Sequence, residues 1–488
     1  MSQPSDLSGT NPALSELQLP PANPKSSPVD ALLDRFAHFG VELGLERIQR
    51  LLAALGNPHA QLPVIHVAGS NGKGSVCAYL SAVLTHAGYR VGRYISPHLL
   101  DWTERISINE VAITPEAFYQ TLQRVIGAID RHYPSPTQFE VVTAAAWLYF
   151  AQQQVDVAIM EVGLGGRLDA TNVCDRPLVS VITSLSMEHW QRLGPTLADI
   201  TREKAGILKP GCPAVIAPQP NAAQAVLQHQ LAALNCPAIW VQPAIALDDE
   251  WVEFLHHPPA TVSASRDELS APLSLPLQSL KYRLPLEGAH QRINSAVAIA
   301  TLRILQAQGW HLNDQAIAQG LAKTRWPGRM QWLTWQERPL LIDGAHNPAG
   351  AKMLRQYIDQ SSHIPSPISW VIGMMGNKDH ADVLRALLRE GDRLYLVPVP
   401  DHLTADTQAL MALARDLCPQ LAQVAAYPDE TQALAAADRE NAVGTIVLCG
   451  SLYLIGHFLR HRMQTLPHAH SESSAKAESQ RASHIKSG

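Results

Sequence analysis

The sequence predicts an α/β protein with two domains, a doubly wound N-terminal domain and a smaller, Rossmann-like C-terminal domain. Short β-branched segments alternate with stretches of helical periodicity, which is typical of a mostly parallel sheet covered by helices. Several of these segments are nearly continuous in apolar character, as expected of strands buried on both faces. The 488 residues of the chain also favour more than one domain. The predicted strands of the first half are VIHVA (64–68), VDVAIME (155–161) and VSVIT (179–183).

Three parts of the chain depart from this alternation. Residues 1–28 are rich in Pro, Ser and Asn, and residues 467–488 in Ser, Ala and His, so both are predicted to be disordered tails. Between about 243 and 285, prolines separate short hydrophilic pieces. This third region indicates an insertion or a small sheet.

The boundary between the two domains is predicted at residue 324. A helix from His290 to about Gln308 and a second helical stretch lead to TRWPGR (324–329), where Pro and Gly break the pattern. We therefore predict one domain over 29–324 and another over 325–466. The predicted strands of the second domain are LLIDGA (340–345), WVIGMM (370–375), LYLVPV (394–399) and TIVLCG (445–450).

Composition places the chain among globular proteins and excludes several partner classes. Hydrophobic residues make up 46% and charged residues 17%, and the net charge of -5 does not suit nucleic acid. We find no signal peptide, and no apolar run reaches the roughly 18 residues of a membrane span. The six cysteines are scattered without metal-binding spacing, as expected of reduced thiols. We therefore expect a cytoplasmic protein with small-molecule partners and no membrane or nucleic-acid partner.

A glycine-rich turn between a buried strand and a helix is the strongest motif. In VIHVAGSNGKGSVCAYLSAVL (64–84) the glycines let backbone N–H groups face phosphate oxygens at a helix N-terminus. Lys73 adds a positive charge near the β- and γ-phosphates, and the Ser75 hydroxyl can bind Mg²⁺. The alternative is a turn of no function. The residues predicted to contact the nucleotide here are Gly69, Asn71, Gly72, Lys73, Gly74 and Ser75.

Three further side chains follow predicted strands, where open α/β sheets bind ligands. They are Ser96 in YISPH (94–98), Glu161 in MEVGLGGRLDATN (160–172) and His189 in LSMEHWQRLG (185–194). Each can bind a divalent cation, which phosphoryl transfer needs to neutralise charge on the bridging oxygens. Taken singly, they could instead be a turn serine, a strand-end carboxylate and a packed histidine.

GSNGKGS (69–75) resembles the shortened phosphate loop of the Mur ligase superfamily, and in particular of the folylpolyglutamate synthase and dihydrofolate synthase family. Ser70 stands where that family more often has Thr, and Glu188 where it usually has Asp, so each keeps its functional group. The resemblance spans roughly residues 30–465. Further family segments follow in order at SPH (96–98), EVGLGGRLDATN (161–172), WPGR (326–329), DGAHNP (343–348), GNKD (376–379) and GSLYL (450–454).

The resemblance implies a phosphate-loop NTPase-like N-terminal domain and a set of cofactors. ATP and one or two Mg²⁺ ions are implied, and a monovalent cation is a further candidate. The stretch TREKAGILKPG (201–211) resembles the family segment with a carbamylated lysine, here Lys204, for which a surface lysine is the alternative. The implied Mg²⁺ ligands are Ser75, Ser96, Glu161 and His189, the implied ATP contacts outside the loop are Asn294, Arg329 and Asp343, and the implied catalytic residues are Lys73, Lys204 and His346.

The resemblance also implies positions for the organic substrates. Phe139 could stack on a flat pterin ring, although a core position is an equal alternative. Ser451 and Tyr453, with His346, match positions associated with the incoming glutamate or with closure of the site. The implied pterin-binding residues are Val41, Glu42, Leu43, Thr137, Gln138, Phe139, Glu140, Leu168, Asp169 and Ala170.

Together these features predict an ATP-dependent ligase that adds L-glutamate to folates, and to dihydropteroate, through an acyl phosphate. We expect it to act as a monomer. Another amino-acid ligase of the same superfamily shares this chemistry, and a phosphate-loop kinase would explain the glycine-rich turn alone. A nucleotide-binding protein without catalysis is the non-enzymatic alternative.

Overall fold

The computed structural model describes residues 27–40, 42–255, 279–440 and 444–465. Both predicted tails lie outside these residues, except that the first helix already begins at Pro28. Val41, one of the predicted substrate-binding residues, also lies outside the described residues.

The N-terminal domain contains an eight-stranded sheet. Its strands are β1 (Val64–Ala68), β2 (Val91–Tyr94), β3 (Ile106–Ile108), β4 (Val111–Ala112), β5 (Val157–Glu161), β6 (Val179–Ile182), β7 (Ala214–Ile216) and β8 (Ala238–Trp240). Their order is β4-β3-β2-β5-β1-β6-β7-β8. Strands β2, β5, β1, β6, β7 and β8 pair in parallel, whereas β3 and β4 pair antiparallel at the edge beside β2. The three strands predicted for this half are therefore present as β1, β5 and β6.

Helices cover both faces of this sheet, as a doubly wound domain requires. On β1, Ile65 and Val67 pack in one core with α3, α9 and α10, whereas Val64 joins the opposite core with α2, α4 and α5. Gly320 lets α10 approach α3 closely, because a Cβ there would lie 2.5 Å from the Val83 Cα. These helices are α1 (Pro28–Leu33), α2 (Glu46–Ala54), α3 (Lys73–His86), α4 (Pro115–Gly127), α5 (Gln138–Gln152), α6 (Trp190–Leu193), α7 (Leu197–Ala205), α8 (Asn221–Ala233), α9 (His290–Ala307) and α10 (Asp314–Ala322).

The Pro-rich region near 243–285 contributes a small antiparallel sheet, ordered β11-β10-β9. Its strands are β9 (Ile245–Ala246), β10 (Trp251–Phe254) and β11 (Leu280–Arg283). One face of this sheet joins the core beneath α9, where the Tyr282 hydroxyl lies 2.7 Å from the Ser295 hydroxyl. Of the two sequence alternatives, the small sheet is present.

The C-terminal domain is a second α/β unit, with a six-stranded sheet ordered β12-β13-β17-β14-β15-β16. Only β12 pairs antiparallel in it. Helices α11 to α13 pack on one face and α14 and α15 on the other. The elements are β12 (Gln331–Trp335), β13 (Arg338–Ile342), α11 (Pro348–Gln360), β14 (Ser369–Ile372), α12 (His380–Leu387), β15 (Arg393–Leu396), α13 (Thr407–Leu417), β16 (Gln423–Ala426), α14 (Glu430–Glu440), β17 (Ile446–Cys449) and α15 (Leu452–Thr465). The two-domain α/β prediction is confirmed.

The two domains touch at close range. The segment that joins α10 to β12 contains the predicted boundary at residue 324. Gly456 on α15 lies against the loop after β2, because a Cβ there would be 1.8 Å from the Leu99 carbonyl oxygen. A second contact joins the Asn347 Nδ2 and the Asn71 Oδ1, which are 3.1 Å apart. Side chains from both domains therefore line the space at the carboxyl ends of the strands.

Two further observations concern the expected reduced thiols and the expected lack of a membrane span. All six cysteines are free thiols. Across the described ranges, none of the helices has the length and apolar character needed to cross a bilayer.

Candidate active site

The glycine-rich turn joins the end of β1 to the start of α3. Gly69 and Gly72 have φ values of 151° and 93°, a region that L side chains rarely adopt. At Gly72 a Cβ would also lie 2.3 Å from the Asn294 Oδ1 on α9. The backbone N–H groups of the first turn of α3 have no partners within the helix, and the helix dipole places partial positive charge there. The turn is therefore built to receive an anion.

Lys73 is the first residue of α3, and its ammonium stays within the turn. It donates hydrogen bonds to the carbonyl oxygens of Gly69, at 3.0 Å, and Ser70, at 3.2 Å. Ser75 lies two residues further along α3, within its first turn, and its hydroxyl is 3.4 Å from the Gln291 Nε2. A cation and a hydroxyl thus lie beside the same helix N-terminus.

Glu161 ends β5 and lies beside the loop that follows β2. Its Oε2 accepts a long hydrogen bond, 3.4 Å, from the Ser96 backbone N–H. Burial raises the pKa of Glu161 to about 7, although the nearby Lys73 and Arg329 oppose this shift. The Ser96 hydroxyl is buried and has no hydrogen-bond partner among the described residues. A buried carboxyl group and an unpartnered hydroxyl oxygen are the donor set that a hard divalent cation prefers.

His189 precedes the short helix α6 and has a left-handed backbone conformation, with φ of 50°. Burial lowers its pKa to about 4 despite the adjacent Glu188 carboxylate. The imidazole is therefore neutral near pH 7 and keeps a lone pair for a metal ion or a proton. His189 also lines a smaller cavity of about 200 Å³, together with Glu188, His346 and Lys378.

Lys204 lies beneath the glycine-rich turn. Its side chain comes from α7 and is only 2% exposed, so the surface-lysine alternative is wrong. The ammonium is 2.8 Å from the Glu188 Oε1 and donates to the Gly69 carbonyl oxygen at 2.8 Å. Burial lowers the pKa of Lys204, and the charge of Glu188 opposes that shift. The pKa of Glu188 is lowered because Lys204, Lys73 and His189 outweigh the opposing effect of burial.

The three positions predicted to hold the nucleotide outside the turn lie on α9 and on the two sides of β12 and β13. Asn294 is buried on α9 and donates to the Gln291 Oε1 at 3.1 Å. Asp343 is buried after β13, where its two oxygens accept hydrogen bonds from the backbone N–H groups of Met330 and Ala345, each at 2.8 Å. Arg329 lines a cavity of about 710 Å³ that the small sheet, the start of α9 and the C-terminal domain enclose. Asp343 therefore fixes the turn that carries Arg329.

A second cleft, of about 450 Å³, lies between the two domains. Most of the residues predicted to bind the organic substrates line it, whichever domain they come from. Gln138 is not among them, because its Nε2 donates to the Leu33 carbonyl oxygen at 3.1 Å. The predicted residues that line this cleft are Glu42, Leu43, Ser96, Thr137, Phe139, Glu140, Leu168, Asp169, Ala170, His189, His346, Ser451 and Tyr453.

Several of these cleft residues also have local structural roles. Thr137 and Glu140 form the N-terminal capping box of α5, and Glu140 is 3.0 Å from the Arg47 Nε. Asp169 accepts hydrogen bonds from the backbone N–H groups of Gly163 and Leu164 and from the Thr171 hydroxyl. These contacts hold the walls of the cleft in place.

Phe139 is only partly buried and presents an aromatic surface to the cleft. Its ring packs against the backbone of Gly163, where a Cβ would lie 2.5 Å from the Phe139 Cζ. The exposed part of the ring can stack against a flat ligand.

Sequence patterns assigned no chemical role to three residues that the structure brings to the site. Lys378, from GNKD, lines both the 200 Å³ and the 450 Å³ cavities, and burial lowers its pKa. Arg105, directly before β3, is buried in the cleft wall, where its Nε donates to the His98 Nδ1 at 3.0 Å. Asn347 makes the hydrogen bond to Asn71 that crosses between the domains. Their motifs were visible in the sequence, but their proximity was not.

Comparison with protein families agrees with this division of the chain. Residues 67–302 match the model for the Mur ligase middle domain. Residues 329–461 match the model for the C-terminal domain of dihydrofolate synthetase. Each match lies within one of the two domains of the fold.

Individual relatives extend the similarity to most of the chain. The dihydrofolate synthase/folylpolyglutamate synthase of Bacillus subtilis (strain 168) is 35% identical over 441 residues, which is 87% of this chain and 96% of the relative. The enzyme of the same name from Escherichia coli (strain K12) is 33% identical, over 86% of this chain and 91% of its own.

Solved structures give the same result in three dimensions. A Mycobacterium tuberculosis folylpolyglutamate synthase complexed with ADP has a TM-score of 0.75 and 30% identity, covering 90% of this chain and 100% of its own. An E. coli FolC in complex with DHPP and ADP has a TM-score of 0.73 and 29% identity, covering 90% of this chain and 98% of its own. With a two-domain cleft, a phosphate-binding turn and relatives that match along nearly their full length, the chain belongs to the dihydrofolate synthase/folylpolyglutamate synthase family.

Proposed function

We propose that the protein is an ATP-dependent ligase that joins L-glutamate to reduced folates and to dihydropteroate. The observation that carries this function is the 450 Å³ cleft, in which residues of the predicted folate, metal and glutamate sites face one another across the two domains. The relatives named for both synthase activities, and the related structures that hold ADP, support the same reaction.

The first step makes the carboxyl group of the folate reactive. A free carboxylate is a poor electrophile, so its oxygen attacks the γ-phosphate of ATP and gives an acyl phosphate and ADP. Lys73, the N-terminus of α3 and Arg329 face the transferring phosphate from both domains and stabilise its charge. Ordered donors of this kind need no rearrangement at the moment of reaction.

Ser75, Ser96, Glu161 and His189 would hold Mg²⁺. The residues fit such an ion, because the Ser96 hydroxyl has no partner among the described residues and the Glu161 carboxyl group is buried beside it. When bound, Mg²⁺ neutralises charge on the phosphate oxygens.

The second step forms the amide bond. The amine of glutamate attacks the acyl phosphate and releases inorganic phosphate. Burial lowers the pKa of His346 to about 4, so its imidazole is neutral and can accept a hydrogen bond from the attacking amine. Ser451, Tyr453 and Lys378 line the same cleft and can hold the carboxylates of glutamate. Contact between the domains excludes the water that would hydrolyse the intermediate.

Phe139 and the wall formed by Leu43, Leu168 and Ala170 suit the flat ring of the folate. The apolar side chains remove the ring faces from water, and Glu42 and Asp169 offer oxygen acceptors at the cleft wall. We propose that a monomer suffices, because a single chain supplies both sides of the cleft.

Two other functions fit the site less well. A phosphate-loop kinase would use the glycine-rich turn, but it leaves the cleft contacts of the C-terminal domain without a role. Another Mur-type amino-acid ligase would share both chemical steps, but it does not need the aromatic wall at Phe139. Detection of a glutamyl-folate product separates these possibilities.

Lys204 can carry a carbamate. A carbamate forms on a neutral amine, and burial lowers the pKa of Lys204 towards that form. The Lys204 ammonium lies 2.8 Å from the Glu188 carboxylate. Carbamylation would replace this ion pair with two neighbouring negative groups, so a cation is needed to hold them together. Mg²⁺ fits this role, and a monovalent cation is a further candidate for the same oxygens.

The first prediction tests the reaction itself. Purified protein with ATP, Mg²⁺ and glutamate should form ADP and a glutamyl product with dihydropteroate and, separately, with tetrahydrofolate. Lys73→Ala should lower the rate about 100-fold or more, because it removes a charge from the transition state. Lys281→Ala, at an exposed position of β11, is the matched control. ATP turnover without any glutamyl product from either substrate would overturn the proposed function.

The second prediction concerns the carbamate. Lys204→Ala should lose most of its activity, and a short carboxylic acid in solution should restore part of it by occupying the vacated space. The wild-type protein in ¹³C-bicarbonate should show a carbamate signal by NMR that Lys204→Ala lacks. Lys352→Ala, exposed on α11, should keep both the signal and the activity. Full wild-type activity after removal of CO₂, with no carbamate signal, would refute the modification.

The third prediction concerns Glu161, whose pKa burial raises from 4.5 to about 7. Between these values the folded protein holds a proton that the unfolded chain releases, so stability falls as the pH rises. Glu161→Gln has no such proton. The melting temperature of ligand-free wild type should therefore fall relative to this variant between about pH 4.5 and 7 and then level off.

The control for this measurement is Gln228→Ala, an exposed α8 side chain that carries no titratable group. Its melting temperature relative to wild type should not change across the same pH range. A constant difference between Glu161→Gln and wild type from about pH 4 to 8 would show that folding does not raise the pKa of Glu161.

A further inference from the structure

A cluster of one carboxylate and two imidazoles lies outside the active-site cleft. Glu430 is the first residue of α14, and His457 and His461 both lie on α15. The His457 Nδ1 is 2.7 Å and the His461 Nδ1 is 3.7 Å from the same oxygen, Glu430 Oε1. None of these three residues lines the 200, 450 or 710 Å³ cavities of the active site.

The local sequence explains why the two imidazoles converge. Residues four apart on a helix lie on the same face, one turn above the other, so the spacing of His457 and His461 brings the rings together. Their ring centroids are 4.1 Å apart. Glu430 is held opposite them because Asp429 caps the start of α14, where its Oδ1 accepts a hydrogen bond from the Gln432 backbone N–H at 2.8 Å.

A histidine–carboxylate hydrogen bond does not account for the whole cluster. One imidazole N–H would suffice for one carboxylate oxygen, yet two imidazoles lie against Glu430 Oε1. The other oxygen, Glu430 Oε2, is buried and has no hydrogen-bond partner within the described ranges. The side chain of Glu430 is only 1% exposed, and a buried carboxylate oxygen without a partner is costly.

We propose that Glu430, His457 and His461 bind a divalent transition-metal ion, of which Zn²⁺ is the best match. Two imidazole nitrogens and one carboxylate oxygen are a common Zn²⁺ ligand set, and imidazole also suits Cu²⁺ and Ni²⁺. The three ligand atoms already lie within 4.8 Å of one another. A tetrahedral site with bonds of about 2.1 Å places its ligand atoms about 3.4 Å apart. The His457 Nδ1 would therefore move slightly away from Glu430 Oε1, and rotation of the outermost side chain, His461, can bring its nitrogen to the remaining distance.

The exposure of the cluster defines what kind of site it is. The Glu430 side chain is 1% exposed and the His461 side chain 53%, so the ion would lie at the mouth of a shallow recess. Three protein ligands leave one tetrahedral position for water or an external ligand. The proposed site differs in chemistry from the Mg²⁺ site of the cleft, where oxygen ligands predominate.

The cluster lies between two helices of the C-terminal domain, so a bound ion would link them. A bound ion would join the start of α14 to the second half of α15. The first half of α15 carries Tyr453, which lines the active-site cleft, and Gly456, which touches Leu99 of the other domain. Metal binding would therefore fix the helix through which the C-terminal domain contacts the N-terminal domain.

The test uses full-length protein freed of metal by a chelator and then titrated with Zn²⁺ alone by calorimetry, in excess Mg²⁺. One Zn²⁺ should bind per chain. His461→Ala and Glu430→Gln should each lower that affinity more than about 100-fold, because loss of a ligand exceeds the loss of an outer-shell partner. His229→Ala, at an exposed position of α8, is the matched control and should bind as wild type does.

Two further readouts keep the test independent of folding and of the ligase reaction. Co²⁺ in place of Zn²⁺ should give the visible absorption of a tetrahedral ion in wild type and in His229→Ala, but not in His461→Ala. Assayed with Mg²⁺, His461→Ala should keep the ligase rate of Zn²⁺-free wild type, because its side chain lies outside the cleft. Zn²⁺ affinity that survives both His461→Ala and Glu430→Gln, or that is lost only in His189→Ala, would overturn the proposed site.

Discussion

The structure depends on the burial of charge at the carboxyl edge of the first sheet. Lys204 and Glu188 lie there with almost no exposure, and Glu161 is buried close by. An ion removed from water needs a partner of opposite charge, so each of these groups constrains the position of the next. Lys73 contributes to the electrostatics of both carboxyl groups and begins the helix that receives the phosphate. The same balance of charges therefore positions the glycine-rich turn, Lys204 and the side chains that we propose bind Mg²⁺.

This balance extends across the boundary between the domains. Arg329 and Lys378 come from the second domain. The charge of Arg329 nevertheless lowers the pKa of Glu161, against the effect of burial, and the charge of Lys378 lowers the pKa of His189. The hydrogen bond between Asn71 and Asn347 holds the two sides at the phosphate-binding turn. Contact between the domains is therefore part of the chemistry, because neither domain alone assembles the charges that an acyl phosphate requires. It also explains why the cleft lies at the junction of the two sheets.

Much of this could be predicted from the sequence, for identifiable reasons. Strands such as β1 and β17 are buried on both faces and are nearly continuous in apolar character, so the sequence pattern could predict their positions. The glycine-rich turn was equally clear, because its glycines, lysine and helix coincide. Contacts between segments that are distant in the sequence could not be predicted. Nothing in the sequence indicated that Lys204 pairs with Glu188, or that Gln138 contacts α1 instead of the cleft. The same limit hid the cluster at Glu430, whose histidines follow it by 27 and 31 residues.

The central claim is that glutamate is joined through an acyl phosphate formed in the cleft between the domains. The most direct test uses dihydropteroate labelled with ¹⁸O in its carboxyl group, incubated with ATP, Mg²⁺ and glutamate. The account predicts that one labelled oxygen appears in the released inorganic phosphate, since the carboxylate oxygen that attacks the γ-phosphate leaves with it. Unlabelled phosphate, with one labelled oxygen kept in the amide and the other released as water, would contradict this mechanism.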